Sequence, residues 1–156
     1  MKSEPTSFSI DDLKRVKKTP WDGVRNYQAR NFITSMQKGD RVLFYHSNTE
    51  PIGVFGTMRI CSEPYEDKTQ FDKKNHHYDP KAKREHPRWY LVDVCFEKKF
   101  REPISLAEIK AHPKLFEMLV ARQGRRLSVQ PVSYEHFNIV EKLGGKKYRP
   151  RINAGA

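Results

Sequence analysis

The sequence predicts an α+β domain built on a curved, barrel-like sheet with short helices around it. Apolar runs of strand length, Arg41 to His46, Pro51 to Cys61 and Trp89 to Phe100, lack the regular crossover helices that a parallel α/β sheet requires. Helix-start signals at Ser9, Asn26, Ser105 and Ser133 instead stand around those runs. At 156 residues the chain fits one domain that buries most of its apolar surface without disulfide support.

Lys2 to Glu4 reads as a short opening strand, ended by Pro5, whose ring removes a donor. Ser9 with Asp12 three residues later forms a capping box, predicting a helix to about Val16. Asn26 caps a second helix from Tyr27 to Met36, where Ala29, Phe32, Ile33 and Met36 recur at helical spacing, and Gly39 stops it. Arg41 to His46 and Pro51 to Cys61 read as a hairpin, with Gly53 and Gly56 marking bulges or close backbone approach. From Glu66 to Arg88 the chain is polar and aperiodic, a long insertion of the kind that is usually functional or mobile. Trp89 to Phe100 predicts a long strand. Ser105 and Glu108 form another capping box, and Pro113 to Val120 continues helical. Leu127 to Gln130 reads as a last short strand. Ser133 caps a final helix carrying Phe137, Val140 and Leu143, closed by Gly144-Gly145. The expected organisation is one domain over residues 1–145 and a basic tail over 146–156, with no internal repeat.

With 37% apolar and 31% charged residues, the chain describes a soluble, polar globule. No apolar run approaches the roughly 20 residues of a membrane-spanning helix. Met1 to Pro5 has no hydrophobic stretch behind its charges, so it is not a secretory signal. Cys61 and Cys95 stand in strand-like runs and read as buried free thiols of a reducing compartment, placing the protein in a bacterial cytosol or a eukaryotic nucleus. The formal charge is +11, and eight Lys and Arg face two acids between Arg122 and Arg151. Such a stripe is the footprint expected for a polyanion partner, although a solvated surface with a basic tail gives the same pattern.

Most catalytic chemistries lack their residues. His76, His77, Asp79 and His86 miss the spacing of a metal site and read as a solvated loop, so neither metal nor cofactor is expected. His46 and Ser47 are adjacent and would point to opposite faces of a strand, and no Gly-x-Ser-x-Gly elbow exists. Phosphate-cradling Gly-rich loops are also absent. Lys2, Ser3 and Glu4 remain as a conceivable hydrolytic trio.

The run Trp21 to Phe32 places a Trp, an acid, a Gly, two Arg and two Asn at a helix entrance. That mixture suits a pocket that stacks a flat ring and bonds its edge; Trp21 as a plug in a small core fits equally. Trp21, Tyr45 and Trp89 all stand near strand ends or loops, where side chains can face a cleft. Aromatic stacking contributes roughly 1–3 kcal/mol per base, enough to offset much of the cost of extruding one from a duplex.

Several blocks together carry a family resemblance. They are Met1-Lys2-Ser3-Glu4-Pro5, Trp21 to Phe32, Phe44-Tyr45-His46-Ser47-Asn48, Thr69-Gln70-Phe71, His77-Tyr78-Asp79-Pro80, Pro87-Arg88-Trp89, Val92-Asp93-Val94 and Leu127 to Pro131. In this order they resemble the EVE domain, a PUA-like fold, and within it the thymocyte nuclear protein 1 group. The resemblance implies a PUA-like curved β-barrel with flanking short helices, related to PUA and YTH domains, with a single-base pocket at the sheet's open end. It further implies a non-enzymatic nucleic-acid-binding domain whose partner is DNA carrying 5-methylcytosine or 5-hydroxymethylcytosine. Pocket roles would fall on Ser3, Trp21, Asn26, Tyr45, His46, Ser47, Trp89 and Gln130. Trp21 and Trp89 would be walls, and Ser3, Asn26 and Ser47 edge readers. Phosphate contacts are expected from Arg25, Arg122, Arg125 and Arg126. Family members usually have one residue fewer in the loop over residues 122–126, so an extra Arg shifts or lengthens that basic rim. No heptad or exposed apolar stripe argues for an oligomer, so a monomer without membrane contact is expected. Two other readings stay open: an ASCH-like hydrolase of a modified nucleoside using Lys2, Ser3 or Glu4, and a protein-interaction module whose contact surface is the insertion.

Overall fold

In the computed structural model, which describes residues 1–124 and 126–146, the chain runs through seven strands and four helices. These are β1 (Lys2–Ser3), α1 (Ile10–Val16), β2 (Lys18–Pro20), α2 (Tyr27–Thr34), β3 (Arg41–His46), β4 (Gly53–Ile60), β5 (Tyr65–Glu66), β6 (Tyr90–Leu91), β7 (Asp93–Ser105), α3 (Leu106–Ala111) and α4 (Tyr134–Lys146). Five strands form one curled half-barrel sheet in the order β1-β3-β4-β7-β2, while β5 and β6 make a separate two-stranded ribbon. The α+β class and the β3–β4 hairpin are those predicted. Among the described strands, β1–β3 is the one parallel pair.

Both faces of this sheet are covered, which explains why β3 is apolar at consecutive positions rather than alternating. Phe44 and Met58 point into one core with Ile10 and Leu13 of α1, Ala29 and Ile33 of α2, and Trp21. Leu43, Tyr45 and Val54 point the other way, towards Ile109 of α3 and Phe137 and Val140 of α4. Bulges interrupt the β3–β4 and β4–β7 ladders. At one of them Gly56 lies so close to the Lys98 carbonyl that any Cβ would clash. Arg41 joins β3 to β7 and α4 by pairing with both Glu97 and Glu141.

The helix starts follow their caps. Ser9 Oγ accepts from the Asp12 amide at 3.1 Å while Asp12 accepts from Ser9 at 2.9 Å, and Ser105 caps α3 in the same sense. Asn26 Oδ1 accepts from the Ala29 amide at 3.0 Å, so this side chain is occupied as the cap of α2. Helix α3 ends at Ala111 and does not continue through Pro113 to Val120. His112 precedes a proline and turns extended, and only turns and a short 3-10 segment, Leu119–Ala121, follow.

Other differences from the sequence reading have local causes. β2 was not predicted; its three residues gain strand geometry only by pairing with β7, Thr19 opposite Val94. Leu127 to Gln130 forms no ladder, although the Lys2 amide donates to the Ser128 carbonyl at 2.8 Å. Gly144-Gly145 lies inside α4 rather than closing it, and α4 reaches Lys146, one residue past the expected domain end. The Phe100 ring fills the space where a Gly144 Cβ would stand, 2.5 Å away, so the missing side chain serves packing, not termination. Cys61 and Cys95 are half-buried and joined as a disulfide, not free thiols. The ladder sets Arg59 opposite Cys95, which leaves Cys61 diagonal to it with a Cα separation of 6.0 Å. The compartment read from free thiols loses that support.

The insertion is folded onto the domain by three polar side chains. Asp67, fully buried, accepts from the Gly23 amide at 2.8 Å, Arg25 at 3.0 Å, and the Thr69 amide and hydroxyl at 2.9 and 2.5 Å. Gln70, also buried, donates to the Asp67 and Trp89 carbonyls and accepts from the Arg88 and Trp89 amides. Asp79 accepts from the Trp89 indole at 2.7 Å. Burial alone would raise the Asp67 pKa. The bonds from Thr69, Gly23 and Arg25 outweigh it and hold the carboxyl below its usual range.

His46, expected in the pocket, belongs to the core. It is 4% exposed, its Nε2 accepts from the Ile10 amide at 3.1 Å, and its ring stacks on Phe55. It thus satisfies an orphan donor in the first turn of α1, a role that requires an unprotonated Nε2. Burial lowers its pKa, with Asp11 raising it and Lys99 lowering it further.

Two stability outcomes are expected. Because the folded pKa of His46 lies below its unfolded value, its contribution is complete above about pH 6.5 and is lost as pH falls through the folded value. The thermal midpoint should drop between pH 7 and pH 5, and His46→Gln should make that drop shallower; an unchanged drop would place the acid sensitivity elsewhere. Asp67→Ala strands Arg25 and the Gly23 amide, and urea unfolding should show a loss of about 3–5 kcal/mol.

Candidate functional site

A cleft of about 500 Å³ opens where β1, the end of β2 and the insertion meet, bordered by Lys2, Ser3, Ser7, Phe8, Thr19, Pro20, Trp21, Asp22, His76 and His77. That volume lies within the range of small-ligand sites. Its floor is set by the Trp21 amide, which donates to the Val92 carbonyl at 2.9 Å and continues the line of β2. The Trp21 ring packs edge-on between Phe8 and Phe44, at centroid distances of 6.4 and 5.5 Å, and stays 8% exposed. Both sequence readings of Trp21 therefore hold: it is core and it borders the cleft.

The opposite wall is built by the insertion. Gly23 has φ +81°, and the His77 imidazole occupies the space its Cβ would need, with Cε1 at 2.5 Å from that position. The His77 backbone is held at both ends, its amide donating to Asn75 Oδ1 and its carbonyl accepting from Arg25 Nε, each at 2.9 Å. Burial lowers the His77 pKa, the neighbouring His76 and Arg25 add to this, and Asp22 and Asp67 oppose it. At neutral pH the ring is therefore uncharged and presents one donor and one acceptor. Around it stand the polar side chains of Ser3, Ser7, Thr19 and Asp22. Such a cleft suits a flat heterocycle with polar edges.

The residues singled out in the sequence separate into three groups. Ser3 and Trp21 border this cleft, and the Ser3 hydroxyl donates to the Phe8 carbonyl at 2.6 Å. Tyr45, Gln130 and Arg122 border a different, mostly apolar cavity of about 390 Å³. There Lys2 lies over the Tyr45 ring at 5.5 Å, and burial pushes the Tyr45 hydroxyl up to about 12. Asn26, His46, Ser47 and Trp89 border neither. Trp89 is 5% exposed, stacked on Tyr27 at 4.9 Å, so it supports the insertion instead of facing Trp21 across a pocket. Ser47 is half-buried, and its amide donates to the Ser3 carbonyl at 2.9 Å.

The cations separate too. Arg25 donates to His77, Val24, Asp67 and Thr69, which leaves it a structural clasp rather than a phosphate contact. Arg122 and Arg126 are exposed, Arg122 also donating to the Glu117 carbonyl, and Arg125 lies outside the described residues. His76, His77 and Asp22 were missed as site residues. The histidines read as a solvated loop because only the long-range contacts of Asp67 and Arg25 bring them beside Gly23. Among the described residues, no three His, Cys, Asp or Glu side chains converge into a possible metal site. Among them also, no helix is long and apolar enough to cross a membrane.

Known proteins share this architecture. The EVE domain profile matches residues 1–143. Human thymocyte nuclear protein 1 is 44% identical over an alignment of 165 positions, covering 94% of this chain and 73% of that one. A hypothetical protein from Leishmania major superposes with a TM-score of 0.90 at 44% identity, covering 96% of this chain and 94% of the other. The human THYN1 protein, in complex with 5-methylcytosine-containing DNA, superposes with a TM-score of 0.84 at 42% identity, covering 94% and 96%. With the profile matched over nearly the whole chain and a relative 44% identical over most of both lengths, this chain belongs to the EVE domain family.

Proposed function

We propose that this protein is a non-enzymatic reader of nucleic acid that takes one modified cytosine, of the 5-methyl or 5-hydroxymethyl type, into the cleft beside Trp21. The observation that carries this reading is the pairing of Trp21 with a neutral His77 across a cleft of base size, in a chain of charge +11. The DNA complex of the human relative supports it. DNA is the proposed partner, with the protein acting as a monomer in a nucleus or a bacterial cytoplasm. Residues 1–145 form the proposed binding unit, and Arg122 and Arg126 the phosphate rim.

The hydrolase alternative is weakened by the trio it needs. Ser3 Oγ is engaged with the Phe8 carbonyl, Lys2 lies over Tyr45, and Glu4 accepts from Asn48 at 2.6 Å, so neither Lys2 nor Glu4 is paired with the Ser3 hydroxyl. Burying one methyl contributes only about 0.8 kcal/mol, roughly fourfold in affinity, so the methyl alone gives weak selectivity.

Titration of matched single-stranded and duplex oligonucleotides, with and without one 5-methyl- or 5-hydroxymethylcytosine, at two salt concentrations, tests the reading. Tighter binding to a modified oligonucleotide at both salts is expected; equal, salt-weakened binding to all would overturn base reading. Trp21→Ala would remove core packing worth about 3–5 kcal/mol and confuse folding with binding. Trp21→Phe keeps an aromatic core and should weaken the modified-base preference severalfold with little loss of thermal midpoint. Replacing Arg122 and Arg126 by Ala should weaken binding to all sequences alike and lower the salt slope by about 2.

A further inference from the structure

We infer that Asp22 reads the 4-amino group of the bound base, so that the cleft accepts amino-bearing pyrimidines and rejects thymine. This rests on the base-binding reading above and adds to it the chemical feature that the site selects. Thymine carries the same 5-methyl group as 5-methylcytosine. A pocket that sensed only ring and methyl would fill with thymine, one of the four ordinary bases of DNA. The two differ at position 4, where cytosine presents an N–H donor and thymine a carbonyl acceptor. Discrimination therefore needs a group at the cleft that accepts and does not donate.

Asp22 is such a group. It is exposed, borders the cleft, and makes no hydrogen bond or ion pair among the described residues. Several other acids are engaged with cations: Asp12 with Arg15, Asp67 with Arg25, Asp93 with Lys18, and Glu97 and Glu141 with Arg41. None of the three basic side chains that border the cleft, Lys2, His76 and His77, forms an ion pair with Asp22. Lys2 is placed over the Tyr45 ring, and His77 is held uncharged by burial. An unpaired carboxylate at the mouth of a polyanion site opposes binding unless a donor on the ligand meets it. The backbone on either side is pinned, Trp21 N–H to Val92 and Gly23 N–H to Asp67, which fixes the main chain from which the carboxylate projects. A carboxylate only accepts, so it matches the amino group and stands acceptor against acceptor with the thymine O4. Leaving a charged group so opposed costs about tenfold or more in affinity.

The test uses Asp22→Asn, which keeps the shape but gives position 22 both a donor and an acceptor. Oligonucleotides identical except for 5-methylcytosine, cytosine or thymine at one position are titrated against the wild type, Asp22→Asn and Glu63→Gln, an exposed charge control. The wild type should prefer 5-methylcytosine over thymine by at least tenfold. Asp22→Asn should narrow that ratio to about threefold or less, chiefly by binding thymine more tightly, while Glu63→Gln leaves the ratio unchanged. An unchanged ratio in Asp22→Asn, with the wild type still selective, overturns the role of Asp22 alone. A wild type indifferent to the varied base overturns the base-binding reading and this inference with it.

Discussion

The Asp67 carboxylate holds the two halves of the cleft in one geometry. It gathers an amide and a guanidinium from the segment after β2 and an amide and a hydroxyl from the insertion. Trp21 stands on the first of these segments and His77 is tied to it through Arg25. A buried carboxylate is unfavourable unless its lone pairs are filled, so these donors are held in place by the cost of leaving it unpaired. Pocket geometry is thus coupled to core stability. Arg25, which looks in the sequence like a surface cation available to phosphate, is the counter-charge of that arrangement.

The opening strand creates a second constraint. Lys2 and Ser3 are consecutive on β1, and alternation sends their side chains to opposite faces. Ser3 faces the cleft with Trp21, while the Lys2 ammonium lies over Tyr45 at the apolar cavity. A single predicted pocket therefore becomes two spaces, one on each side of an edge strand. The polar one, bordered by Asp22 and His77, is the proposed base-reading site. The other is lined in part by Leu43, Tyr45, Val54 and Met118 of the second core.

Much of the fold was legible because its signals are local. Caps at Ser9, Asn26 and Ser105, the hairpin formed by β3 and β4, and Gly56 at a bulge all follow from residue types within a few positions. β2 was not legible, since Lys-Thr-Pro has no strand pattern of its own and becomes a strand only against β7. The pairing of Cys61 with Cys95 depends on a ladder register between residues 34 apart, which spacing along the chain does not reveal.

The same division holds at the site. The chain's own chemistry established an α+β sheet domain, an excess of positive charge and an aromatic-polar run at Trp21 to Phe32, because composition, periodicity and capping act over short distances. Which aromatic residue borders a cleft, and which is walled into the core, was settled by contacts across the fold. Trp21 and Trp89 look alike in the sequence. One keeps an edge on the cleft, and the other is covered by Tyr27 and tied to Asp79. His46 looked like a pocket residue and became a helix-end acceptor, while His77 looked like a solvated loop and became a wall. The reason is physical: burial and hydrogen-bond partners belong to positions in space, and the contacts that set the His77 wall, Gly23 to Asp67 and Arg25 to His77, join groups 44 and 52 residues apart.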